Sequence, residues 1–213
     1  RRPPHCCRHR TAHGDERVFV KICGMTSENA LHAAVTAGAD AVGFVFAESP
    51  RRIAPDKAAE LCRDLPENLV RVAIMQHPSA EEWQEVRERF APDWLQTDAE
   101  DFQALDLPAG CQPLPVYRHG RLNPAVLPAR ILFEGSKSGS GEVANWREAA
   151  AITAATHVIL AGGLDAHNVA EAIHAVEPWG VDVSSGVETG PGTKDPEKIQ
   201  MFIAHARAAE RQQ

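Results

Sequence analysis

HVILAGGLDAHNVAEAIHAVEPWGVDVSSG (157–186) reads as strand, helix and strand. VILA is a short apolar run closed by Gly162 and Gly163, and Asp165 stands where it caps a helix over DAHNVAEAIHAV. GVDV is again a strand, closed by Ser184, Ser185 and Gly186. The same rhythm recurs towards the N-terminus. VFVKIC, AVGFVF and VRVAIM read as strands one to three, each followed by a stretch with helical spacing. Gly38 stops the first helix, Pro55 opens the second, and Ser79 with Glu82 forms a capping box for the third. DWLQTD, CQPLPVY and ARILFE are strands four to six. Pro108, Pro113, Pro124 and Pro128 crowd the stretch where helices four and five are expected. DPEKIQMFIAHARAAER is the closing helix.

Strands one, two, three and seven are almost continuously apolar, the pattern of strands covered by helices in a parallel sheet. Eight β/α units in roughly 190 residues predict a compact single-domain (β/α)8 TIM barrel, below the ~250 residues typical of that fold. A doubly wound open sheet is the alternative, and it calls for a Gly-rich turn after the first strand. That turn is Cys23-Gly24-Met25-Thr26, which is not a dinucleotide fingerprint. The glycine pairs come late, after strands seven and eight, where barrels usually hold a phosphate.

The chain has 213 residues, 44% hydrophobic and 24% charged, with a formal charge of −7. Apolar residues are too plentiful for a disordered chain. No apolar run reaches the ~20 residues that span a bilayer. The acidity argues against broad attraction to nucleic acid or an anionic membrane, so a phosphorylated ligand needs a local cluster of donors. Cys6, Cys7, Cys23, Cys62 and Cys111 form an odd set without framework spacing, which predicts free thiols in a cytoplasmic protein. Residues 1–17, RRPPHCCRHRTAHGDER, carry five arginines and no apolar periodicity, and are expected to be a flexible leader outside a barrel domain of residues 18–213. Cys6 and Cys7 near His5, His9 and His13 lack regular ligand spacing, so no metal site is expected.

Several residues can carry chemistry. Gly162 and Gly163 let a phosphate approach the backbone, while Ser184, Ser185 and Gly186 add hydroxyl and amide donors. Without a phosphate, both stretches are tight β-to-α turns. Cys23 ends strand one at the edge where barrel active sites are built. It is either a base whose thiolate fraction Lys21 or a nearby arginine raises, or a buried core cysteine. Glu134 ends strand six. It is either a general acid kept protonated by poor solvation or an ordinary loop carboxylate. Asp182 binds a ligand hydroxyl or amine, or pairs internally. Arg51 and Arg52 follow strand two and offer forked donors to a carboxylate or phosphate, or else lie solvated.

VKICGMT, GADAVGFVFAESPRRI, LAGGLDAHNVAEAI and GVDVSSGVETGPGTKDPEKI resemble, in order and spacing, the blocks of the phosphoribosylanthranilate isomerase family of tryptophan biosynthesis. The resemblance runs from about Val18 to Arg207. It implies a cofactor-free rearrangement of an aminoaldose, N-(5-phosphoribosyl)anthranilate, to an aminoketose. It implies Cys23 as general base and Glu134 as general acid. Arg51, Asp182 and Ser184 become substrate-binding positions, and Gly162, Gly163, Ser185 and Gly186 become phosphate-binding ones. The expected partner is the small phosphorylated aminosugar alone, with the chain a monomer or homodimer. Four departures stand out. Glu134 replaces the family's usual Asp, SGSG (138–141) replaces GGTG, Gln96-Thr97-Asp98-Ala99 replaces QLHG and its histidine, and strand three ends in Ala73-Ile74-Met75-Gln76-His77-Pro78 in place of VGVFVNP. They motivate an alternative, a catalytically silent or altered-substrate phosphate-binding homologue. A sugar-phosphate epimerase on the same barrel is disfavoured because no His/Asp metal-ligand set stands at the strand ends.

Overall fold

The computed structural model describes residues 17–120, 127–135 and 144–210. Eight parallel strands close into one barrel in sequence order. They are β1 (Phe19–Cys23), β2 (Ala41–Val45), β3 (Val70–Ile74), β4 (Trp94–Asp98), β5 (Gln112–Arg118), β6 (Arg130–Glu134), β7 (His157–Leu160) and β8 (Gly180–Val183). Around it run α1 (Glu28–Ala37), α2 (Pro55–Leu61), α3 (Ala80–Phe90), α4 (Trp146–Ala150), α5 (Val169–Val176) and α6 (Pro196–Glu210). A small antiparallel pair, β9 (Glu188–Gly190) and β10 (Thr193–Lys194), follows β8.

Local chemistry sets the helix ends. Ser27 caps α1 by accepting from the Ala30 amide, and Gly38 ends it in the left-handed region at φ 85°. Ser79 and Glu82 form the expected capping box on α3. The α6 residue Arg207 bonds both the Gly38 carbonyl and the Asp40 carboxylate, and Asp40 in turn accepts from the Val20 amide. The last helix is thereby fastened to the first two strands. Arg17 also donates to Asp40.

Two hydrophobic populations follow from strand alternation. Val20, Ile22, Val42, Phe44, Ala73, Leu95, Ile131, Phe133, Val158 and Leu160 face the helices. Phe19, Ala41, Val72, Trp94, Leu114, Val116, Leu132 and Ile159 fill the barrel interior. Phe19 stacks between Trp94 and Trp179, with ring centroids 5.3 and 4.6 Å away, and the Arg130 guanidinium lies over Trp94. This aromatic plug closes the N-terminal end. At the C-terminal end the interior positions are mixed, with Asp98, Arg118, Glu134 and Asp182 beside the apolar Val45, Ile74 and Ala161.

One expected helix is missing. After β4 the chain makes only a 3-10 stretch, Ala99–Gln103. Asp101 is held back by the Thr97 hydroxyl at 2.5 Å and by His77 at 3.0 Å, and Pro108 disfavours helical backbone at Leu107. The place for helix five and the SGSG loop fall largely or wholly outside the described residues. Residues 1–16, including the Cys6–Cys7 pair, also lie outside them. Among the described residues no helix is long and apolar enough to cross a membrane, and no cluster of His, Cys, Asp or Glu is arranged to hold a metal.

Candidate active site

A cavity of about 190 Å3 opens at the C-terminal end of the strands, and Cys23, Arg51, Glu134, Gly162, Gly163, Asp182, Ser184 and Ser185 all line it. This gathering is dictated by the period of two. Lys21 and Cys23 share the interior face with Phe19, Glu134 with Leu132, and Asp182 with Gly180. Gly180 must lack a side chain, because a Cβ there would sit 2.8 Å from the Phe19 carbonyl oxygen. That contact brings β8 against β1 and sets Asp182 opposite Lys21.

Lys21 is fully buried, and its Nζ donates to Asp182 Oδ1 at 2.8 Å. Burial favours the neutral amine, but the Asp182 carboxylate and the neighbouring thiol outweigh it and hold the ammonium form above its ordinary range. Asp182 therefore pairs internally while still facing the cavity. The Cys23 thiol is pushed up by burial and by Asp182, against the pull of Lys21, Lys194 and Arg51. Lys21 and Arg51 do pull towards the thiolate as expected, but desolvation is larger and the net shift is upward.

Arg51 is gripped by Glu188, with Nε 2.7 Å from Oε1 and Nη2 2.8 Å from Oε2. Lys194 Nζ reaches the same carboxylate at 2.7 Å and the Ser184 carbonyl at 2.9 Å. Burial alone would raise the Glu188 carboxyl, but its bonds to Arg51 and Lys194 hold it below the usual range. Two glycines make room for this arrangement. A Cβ on Gly24 (φ +81°) would stand 2.6 Å from Arg51 Cδ, and one on Gly192 would stand 2.4 Å from the Pro50 carbonyl.

The two late turns pack directly together. A Cβ on Gly186 would lie 2.0 Å from the Leu164 carbonyl oxygen. Asp165 Oδ1 accepts from the His167 and Asn168 amides, and Asn168 Nδ2 donates to the Gly163 carbonyl at 2.8 Å. Gly162 and Gly163 both take positive φ, 91° and 63°. Of the predicted loop residues only Gly186 does not line the cavity; it supplies the contact that joins the turns.

Glu134 ends β6 buried, but its surroundings are not apolar. Arg118 Nε lies 3.1 Å from Glu134 Oε1, and Arg118 Nη1 lies 2.7 Å from Asp98 Oδ1. His77 Nε2 meets the other Asp98 oxygen at 3.2 Å, and its Nδ1 meets Asp101. Hydrogen bonding to Asp101 raises the His77 imidazole above its ordinary value. This chain of described residues sets the carboxyl groups of Glu134, Asp98 and Asp101 beside the Arg118 guanidinium and the His77 imidazole. Glu134 and Cys23 face one cavity, an arrangement that can deliver a proton at one atom of a small molecule and remove one at another.

A family model for N-(5'phosphoribosyl)anthranilate (PRA) isomerase matches residues 20–205. The chain belongs to this family. The N-(5'-phosphoribosyl)anthranilate isomerase of Listeria welshimeri is 38% identical to it, over 91% of this chain and all of the relative. That of Streptococcus pneumoniae is also 38% identical, over 88% of this chain and 95% of the relative. Among solved structures, phosphoribosyl anthranilate isomerase from Thermus thermophilus superposes with a TM-score of 0.77 at 31% identity, covering 88% of this chain and 98% of that one. A phosphoribosyl anthranilate isomerase solved with reduced 1-(o-carboxyphenylamino)-1-deoxyribulose 5-phosphate superposes with a TM-score of 0.71 at 29% identity, covering 90% and 99%.

In this isomerase, sequence reading did not single out Arg118, Glu188 or Lys194. Arg118 had a signal: it continues the interior series Leu114 and Val116. The strand read as CQPLPVY stops at Tyr117, one residue short of it. Glu188 and Lys194 lie beyond β8, where no strand period points inward.

Proposed function

We propose that this isomerase converts N-(5'-phosphoribosyl)anthranilate to 1-(o-carboxyphenylamino)-1-deoxyribulose 5-phosphate in tryptophan biosynthesis, with Glu134 as general acid and Cys23 as general base. One observation carries the assignment of roles: the thiol of β1 and the carboxyl of β6 line the same cavity, beside the two glycine-bearing turns after β7 and β8. Those turns hold the substrate phosphate through the backbone of Gly162, Gly163 and Ser185 and the Ser185 hydroxyl, with Gly186 keeping the two turns in contact. Arg51, Asp182 and Ser184 contact the rest of the substrate.

Glu134 gives its proton to the ribose ring oxygen as the bond from that oxygen to C1′ breaks. The nitrogen lone pair makes the Schiff base. Cys23, as thiolate, takes the proton from C2′, and the electron pair moves to form the enolamine. C1′ then gains a proton while the 2′-hydroxyl loses one, which leaves the ketone. Hydrogen moves only within the substrate and its two partners, so oxidation at C2′ balances reduction at C1′. A monomeric or homodimeric chain belongs to this reading. A cytoplasmic location belongs to the same reading.

The test is loss of anthranilate fluorescence with freshly made substrate. Cys23→Ser and Glu134→Gln are each expected to lower kcat by about 10²–10⁴-fold. Full activity in Glu134→Gln would remove that residue from the acid role. Binding without turnover in the parent protein would make the chain a silent homologue.

A further inference from the structure

We propose that Arg118 is a positioning residue for this reaction: its guanidinium holds the Glu134 carboxyl at the angle from which it meets the sugar ring, with Asp98 as the anchor on its far side. The proposal rests on Glu134 being the acid, and adds the residue through which that acid is aimed.

A glutamate has three side-chain torsions, and nothing in its own backbone fixes where its carboxyl points. At the end of β6 that freedom is removed from the neighbouring strand. Arg118 and Glu134 are register partners across β5 and β6, and Asp98 is the partner of Val116 across β4 and β5. The three side chains therefore leave three successive strand ends on the interior face. Arg118 places Nε 3.1 Å from Glu134 Oε1 and Nη1 2.7 Å from Asp98 Oδ1. A planar guanidinium held at two of its nitrogens has little rotational freedom left, and it restrains the carboxyl oxygen it touches. Asp98 is itself braced by His77, whose other nitrogen is held by Asp101, and Asp101 by the Thr97 hydroxyl. Arg118, Asp98 and Glu134 are each 15% exposed or less at the side chain, so water does not loosen the set. A proton donor displaced by about 1 Å can cost 10²-fold in rate without weakening substrate binding.

The experiment is a double-mutant cycle on the fluorescence assay, using Arg118→Met, Glu134→Gln and the double variant in the full chain. Arg118→Met is expected to lower kcat about 100-fold with KM within about threefold. In the Glu134→Gln background the same change is expected to cost less than about threefold, because there is no longer an acid to aim. Arg118→Lys, which keeps the charge, is expected to recover about tenfold of the loss. Equal losses in both backgrounds would overturn the proposal. So would a rise in KM with kcat unchanged, which would make Arg118 a direct ligand of the substrate carboxylate. If Arg118→Met does not fold, Asp98→Asn takes its place in the cycle, with a loss of about tenfold in kcat and the same disappearance beside Glu134→Gln. Full activity in Glu134→Gln alone overturns the acid assignment instead, and is read before Arg118 is changed.

Discussion

Lys21 Nζ and Asp182 Oδ1 meet at 2.8 Å inside the barrel, with side chains 0% and 8% exposed. A charge pair so placed adds little net stability relative to an apolar pair, but breaking it strands one charge where water cannot reach. Lys21→Met is therefore expected to lower unfolding stability by about 3–5 kcal/mol in urea titrations. Lys21→Met with Asp182→Asn should lose clearly less than Lys21→Met alone, because no uncompensated carboxylate remains. Equal losses would show that Lys21 matters for its methylene packing and not for its charge.

Cys23 lies beside this pair, and burial pushes its thiol above the ordinary value of 9.0. The sign is direct: a raised thiol pKa leaves the thiolate a small minority at neutral pH, growing as pH rises. The far-ultraviolet thiolate absorbance that the parent shows and Cys23→Ser lacks is expected to have its midpoint above pH 9.0. Cys111 does not confuse the signal, since burial and Asp93 push its thiol up to about 12. A difference midpoint below pH 8 would mean that Lys21, Lys194 and Arg51 together outweigh desolvation.

The barrel and most of the site were legible because one rule, alternation along a strand, governs both. Val18 to Cys23 announces a strand, and its period puts Lys21 and Cys23 on one side whatever surrounds them. Gly162, Gly163 and Gly186 were legible for a different reason: small residues at strand ends permit backbone to meet backbone or ligand. What remained hidden depends on distance through space. Nothing near Glu134 in sequence tells that Arg118, sixteen positions earlier, meets it at 3.1 Å, and the poorly solvated surroundings expected for that carboxyl hold a guanidinium. Nor does the motif holding Arg51 reveal that Glu188 occupies two of its nitrogens. The missing fourth helix has the same origin, since Thr97 and His77 capture Asp101 from outside the local stretch.

Gly186 offers a test of the joined turns. An added methyl group would fall 2.0 Å from the Leu164 carbonyl oxygen and 3.0 Å from Asp165 Cα, both backbone, so the two turns must part. Inorganic phosphate is expected to raise the parent's melting temperature, and Gly186→Ala is expected to abolish that rise and to raise KM at least about tenfold, about 1.4 kcal/mol. Gly190→Ala, whose Cβ meets nothing within 4 Å, is the control and should keep both properties. A phosphate-stabilised Gly186→Ala protein would place the anion elsewhere.

Glu188 makes the acid response of the fold predictable. Its carboxylate is bonded by Arg51 through two nitrogens and by Lys194 at 2.7 Å, and its side chain is 5% exposed. Desolvation works against the charge, yet these bonds carry the folded pKa below the ordinary 4.5. A carboxyl whose pKa is depressed by folding stabilises the folded state fully above its unfolded pKa. That contribution fades as pH falls through the folded value, because the native state then has to accept a proton it resists. Glu188→Gln removes the titration and leaves Arg51 and Lys194 facing a neutral amide. The parent is therefore expected to be more stable than Glu188→Gln at neutral pH, and the gap is expected to narrow steadily below about pH 4.5. Urea unfolding of both proteins between neutral and acid pH reads the gap directly. A gap that stays constant through the acid range would mean that Glu188 supports the site by shape alone and that its ionisation does not change on folding.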